Sequence, residues 1–175
     1  MDSGLEVGLC NVNIILHPAP TLLSISRIEY SKGDFYIYKE AYTPSVERVI
    51  EVLDQEIAAI LKVLGFHAIS SKVMFEKRYE KPWKDIREWF RKIGSKGPFN
   101  ARERYITEDV PTGMVLISSL GKMLGISTPT FDSVINLCGV INDTNYWETG
   151  RTAQKLGLAG MDLESLKTFL KEGFN

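Results

Sequence analysis

A mainly α-helical, single-domain fold is the prediction, and three observations carry it. Apolar residues recur at steps of three and four from Val46 to Leu64, between a Thr-Pro start and a Gly stop. Segments 109–124 and 129–142 are apolar almost all round, as central buried helices are. Trp83, Ile86, Trp89, Phe90 and Ile93 form another stripe at helical spacing. The 175 residues, 44% hydrophobic and 25% charged, are enough for one core. No repeat, low-complexity tract or linker interrupts them, so 1–175 reads as one domain, a multi-helix bundle.

The elements follow in order. Residues 5–16 are apolar and run into His17-Pro18, and 21–28 continue as a helix beneath that corner. Residues 28–42 read as a small β-hairpin: Ile28-Glu29-Tyr30, a Ser31-Lys32-Gly33-Asp34 turn, then Phe35-Tyr36-Ile37-Tyr38. Such a hairpin is marginal alone and needs helices to lie against. Thr43 suits an N-cap, Pro44 the first helical position and Gly65 the stop, which gives a helix of about 21 residues. Two helices broken near Pro82 fill 70–93. Thr128-Pro129 repeats the cap-and-proline start, and Asp162 caps a last helix at about 162–172.

Composition removes several functions. A net charge of −1 argues against nucleic acid. No apolar run reaches the ~18 residues a bilayer crossing needs. Residues 1–6 lack the basic stretch of a signal peptide, so the expected location is cytoplasmic. Cys10 and Cys138 lack metal-ligand spacing and read as buried thiols; no metal is expected. Neither Gly-x-Gly-x-x-Gly nor Gly-Lys-Ser/Thr occurs, so the two common phosphate-cradling loops are missing.

Two segments can carry chemistry. His17 closes an apolar run, and Pro18 and Pro20 stiffen the chain after it. It reads either as a core histidine bonded to backbone or as a general acid/base, which would need an orienting carboxylate. Residues 102–113 pack Arg102, Glu103, Arg104, Glu108 and Asp109 against Val110-Pro111. Asp109 suits a helix dipole or the orientation of a histidine. Arg104 suits a surface pair with Glu103 or Glu108, or a two-pronged grip on a carboxylate.

These residues resemble the C-terminal helical domain of the opine (octopine/nopaline) dehydrogenase family. The resemblance rests on Asn11-Val12-Asn13 with His17-Pro18-Ala19-Pro20, Arg27-Ile28-Glu29, Thr43-Pro44-Ser45-Val46, and Arg104-Tyr105 with Glu108-Asp109-Val110-Pro111. Leu120-Gly121-Lys122 with Thr128-Pro129, and Gly150-Arg151-Thr152 with Leu156-Gly157-Leu158, follow in the family's order. It implies a fold like the 6-phosphogluconate dehydrogenase C-terminal domain. It also implies joining an amino acid to a 2-oxo acid and reducing the imine with NAD(P)H. His17 and Asp109 match the family's acid/base pair and Arg104 its carboxylate clamp. The family's Rossmann domain would precede Met1, so the expectation is an inactive half whose cofactor domain lies elsewhere. That leaves a truncated chain, a split-gene subunit with a Rossmann-domain partner, or a remnant. The alternative function is a non-catalytic helical interaction module, and in either case the surface the missing domain would cover is expected to support a homodimer.

Overall fold

The computed structural model describes residues 4–172 and is mainly helical, with no strand among them. The chain enters through α1 (Gly4–Leu9), α2 (Asn13–Leu16), α3 (Pro18–Leu23) and α4 (Ile25–Ser31). A π turn at Ile37–Ala41 leads to the long α5 (Pro44–Leu64), then α6 (Ser71–Tyr79) and α7 (Trp83–Ile93). After α8 (Arg104–Thr107) a second π turn, Val110–Met114, runs straight into α9 (Val115–Met123). Then come α10 (Pro129–Asn142), α11 (Tyr146–Thr149) and α12 (Leu163–Glu172).

The core lies where α10 packs on α3, α5 and α9, and α5 on α2, α3 and α9. Leu53 and Ile60 of α5, Ile117 and Leu120 of α9, and Phe131 and Ile135 of α10 meet there, fully buried. Each such side chain contributes roughly 1.5–3 kcal/mol relative to exposure. Helix α5 has the expected bounds: Thr43 Oγ1 accepts from Val46 N–H at 3.5 Å, and Gly65 closes it at φ 80°. Asp162 Oδ1 caps α12 by accepting from Ser165 N–H at 2.8 Å.

The structure corrects the sequence reading in five places. The hairpin at 28–42 is not formed: 25–31 are helical and 37–41 make the π turn. Ser31-Lys32-Gly33 is a helix stop, with Lys32 left-handed at φ 50°, rather than a strand-to-strand turn. Glu40 then accepts from Tyr36 N–H at 3.0 Å, closing the segment on itself, and only isolated bridges join Tyr36 to Lys96 and Gly97. Thr128 does not cap α10 with its side chain; Glu56 of α5 reaches across and accepts from Thr130 N–H (2.9 Å) and Phe131 N–H (3.1 Å). Helix α10 is not wholly buried, since Leu137 and Val140 face outward, and Trp89 leaves the α7 stripe for the surface. Cys138 is buried, whereas Cys10 is only partly so.

Candidate functional site

The site grows from the corner at residue 17. Pro18 has no N–H to continue the ladder of α2, so the helix ends and restarts there, with His17 serving both ends. Its own peptide is fully used: His17 N–H donates to Asn13 C=O at 3.0 Å, and its carbonyl accepts from Thr21 N–H at 3.1 Å. Tyr42 Oη donates to the carbonyl of the preceding Leu16 at 2.6 Å. The backbone beneath the ring is thus held on three sides.

Asp109 stands at the entry to the second π turn, and the widened turn sets its carboxylate toward α2. His17 Nδ1 lies 2.8 Å from Asp109 Oδ2, across 92 positions of sequence. An ionised carboxylate can only accept, so Nδ1 carries the proton and Nε2 is left with the lone pair. The imidazole is 6% exposed and the carboxylate 16%, which keeps the contact largely out of water. Tyr105 packs edge-on against the imidazole, ring centroids 4.3 Å apart.

Arg104 is not bonded to the pair. It lies at the surface with its guanidinium 5.6 Å from the Tyr105 centroid, two contacts removed from His17. No ion pair ties it to Glu103 or Glu108 among the described residues, and Glu103 instead accepts from Phe99 N–H at 3.0 Å. Beside it is Tyr38, stacked on Phe90 of α7 at 5.0 Å. Burial pushes the Tyr38 phenol above its usual range, with Tyr105 adding to the rise and Arg104 opposing it. Burial also drives Tyr42 well above the ordinary 10.0. Both phenols stay protonated at neutral pH and present donors, not charges.

The structure therefore brings His17 and Asp109 into contact and places Arg104 against Tyr105, which packs on His17. Sequence reasoning missed Tyr105, Tyr38 and Tyr42. Tyr105 had a signal, its place directly after Arg104; the other two sit on the π turn and its exit, which the hairpin reading hid. No group of three or more potential metal ligands occurs among the described residues. No single helix among them is long and apolar enough to cross a membrane. A cavity of about 500 Å3 is lined in part by Ile14, Thr112 and Gly113.

Comparison with known proteins places the chain in a family. The family described as NAD/NADP octopine/nopaline dehydrogenase, alpha-helical domain, matches residues 1–142. An opine dehydrogenase of Arthrobacter sp. (strain 1C) is 36% identical over 172 residues, 96% of this chain and 48% of that protein. A vitopine synthase of Allorhizobium ampelinum is 30% identical over 160 residues, covering 89% and 44%. The chain spans about half the length of the curated relatives it matches.

Proposed function

The chain belongs to the octopine/nopaline dehydrogenase family through its alpha-helical domain, and we propose that it is the substrate-binding and acid/base half of an NAD(P)-dependent opine-dehydrogenase-like enzyme. The reaction proposed is reductive condensation of an amino acid with a 2-oxo acid. The observation that carries this reading is the buried 2.8 Å contact of His17 with Asp109, with Tyr105 packed between the imidazole and an arginine that forms no ion pair among the described residues.

The proposed roles are these. Arg104 holds the 2-oxo acid carboxylate through two parallel N–H donors, a grip Lys does not reproduce. His17 Nε2 takes a proton from the amino acid's ammonium, and the freed nitrogen attacks the oxo carbon. Asp109 fixes the tautomer and stabilises the imidazolium that forms. A second proton passes from the attacking nitrogen to the carbinol oxygen, and the protonated ring returns its own as that oxygen leaves as water, which yields the protonated imine. Tyr105 packs against the imidazole and shields it from solvent. Reduction of the imine belongs to the nicotinamide cofactor. The 175 residues contain no Gly-x-Gly-x-x-Gly, and the described ones contain no strand to mount such a loop, so they do not build a dinucleotide cradle of that kind.

The test is an NAD(P)H oxidation assay with pyruvate and a panel of amino acids. The chain alone should show no turnover. Joined to the nucleotide-binding half of the Arthrobacter relative, it should oxidise cofactor only when both substrates are present. Turnover by the chain alone, or none in the joined protein, contradicts the reading.

A further inference from the structure

Were α2 and α3 one continuous helix, the carbonyl of Leu16 would accept from the N–H of the residue four positions on. That residue is Pro20, which has no N–H. The sequence itself therefore orphans the carbonyl directly before His17. Leu16 is buried, so bulk water does not answer the loss, and a buried carbonyl left unpaired is costly. Tyr42 Oη fills the place, donating to Leu16 C=O at 2.6 Å. We propose that Tyr42 is a positioning residue for His17: its hydroxyl stands in for the N–H that Pro20 lacks and fixes the backbone from which the imidazole reaches Asp109. The inference rests on the acid/base reading of His17 above and adds a residue to it.

The source of this bond sets it apart from the other two at the corner. Those run from His17 N–H to Asn13 C=O and from Thr21 N–H to His17 C=O, inside the same stretch of chain. They shape the corner but do not place it against the body of the fold. Tyr42 comes from 26 positions away. It stands at the exit of the first π turn, next to the Thr43 cap of α5, so two elements hold its backbone. Its ring is buried and backed by Tyr38, centroids 5.5 Å apart, and Tyr38 is in turn stacked on Phe90 of α7. Burial raises the Tyr42 phenol well above its ordinary range, so the hydroxyl keeps the proton it donates.

His17 is then held from two directions. Asp109 grips the ring at Nδ1, 2.8 Å away, and Tyr42 grips the peptide one residue before it. A general base works when its free nitrogen stands within hydrogen-bond reach of the proton it takes. With the backbone tether gone, the ring can tilt about its bond to Asp109, and Nε2 leaves that position.

The experiment uses Tyr42→Phe, which keeps the ring and removes the hydroxyl. NMR of the 175-residue chain reads the His17 Nδ1–H resonance, and the chain joined to a nucleotide-binding half gives kcat and KM. Glu56→Ala is the control, because it strips backbone caps from α10 and bonds to neither His17 nor Tyr42. Tyr42→Phe should shift or broaden the Nδ1–H resonance. Its kcat should fall about fivefold or more, toward the roughly 100-fold cost of a 1 Å misplacement, while KM for the 2-oxo acid stays within about twofold. Glu56→Ala should lower the melting temperature and move neither the resonance nor kcat. An unmoved resonance in Tyr42→Phe, or an unchanged kcat in an active joined protein, overturns the proposal. So does a Glu56→Ala protein that loses kcat as Tyr42→Phe does, since the effect is then general loss of stability. If the joined wild type has no turnover while Tyr42→Phe still moves the resonance, the positioning role stands and the acid/base reading falls.

Discussion

Gly113→Ala tests how the fold sets the His17–Asp109 contact. A Cβ at position 113 would lie 2.4 Å from Ile14 Cγ1 and 2.7 Å from its Cδ1. Ordinary contact begins near 3.4 Å, so Ile14 would have to retreat by about 1 Å (3.4 − 2.4). It has little room, being 4% exposed and part of the core. Overpacking of this kind costs about 1–3 kcal/mol. Alanine regains up to about 1 kcal/mol of helix propensity over glycine, because Gly113 is not in the left-handed region. The net expectation is destabilisation of about 1–2 kcal/mol, or roughly 2–8 °C in Tm for a chain of this size. A functional effect should follow. His17 sits one turn beyond Ile14, so displacing α2 lengthens its 2.8 Å contact toward the ~3.5 Å at which a hydrogen bond is lost. Thermal unfolding by circular dichroism gives the first number, and the imidazole Nδ1–H resonance reports the second. Gly8→Ala is the control: nothing lies within 4 Å of its Cβ, so it should gain up to about 1 kcal/mol. Wild-type stability and an unshifted His17 resonance in Gly113→Ala would refute the reasoning.

Other perturbations probe the surrounding fold. Glu56→Ala strips two backbone N–H groups at the start of α10 of their acceptor, and urea unfolding should show a loss of about 1–3 kcal/mol. Burial raises Asp54 above its ordinary 3.8, against the opposing hydrogen bonds from Ser71, so the native state holds that proton more tightly than the unfolded chain. Its contribution to stability should therefore fall as pH rises from about 3.8 through the raised native value and stay level above it. Stability measured across that window should drop for wild type relative to Asp54→Asn, and a difference that is flat or of opposite slope would contradict this. Burial pushes the Cys138 thiol up to about 12, so thiol reagents should label it only on unfolding.

Much of the fold was written locally in the sequence. Thr43-Pro44 and Gly65 fix both ends of α5 because capping depends on neighbours alone. The break at Pro82 between α6 and α7 is local for the same reason. Residues 28–42 were misread because aromatic alternation suits a strand, yet Ile28, Phe35 and Ile37 are buried from a helix, the loop after it and a π turn. Here tertiary burial overrode the local preference. Glu56 capping α10 was invisible, since its partners lie 74 and 75 positions away and Thr128 offered an ordinary cap nearby. The pairing of His17 with Asp109 was equally non-local; the resemblance proposed it, whereas residue types alone left each open between a structural and a catalytic role. A cavity formed by α1, the second π turn, α9 and α12 was not legible because it has no signature in any one segment.

The most direct test of the central claim is the turnover of His17→Asn in the chain joined to a nucleotide-binding half. A general acid/base contributes about 10²–10⁴-fold. The account predicts that cofactor oxidation with amino acid and 2-oxo acid falls by at least 100-fold while thermal stability stays near wild type. A His17→Asn protein that turns over at the wild-type rate would contradict it.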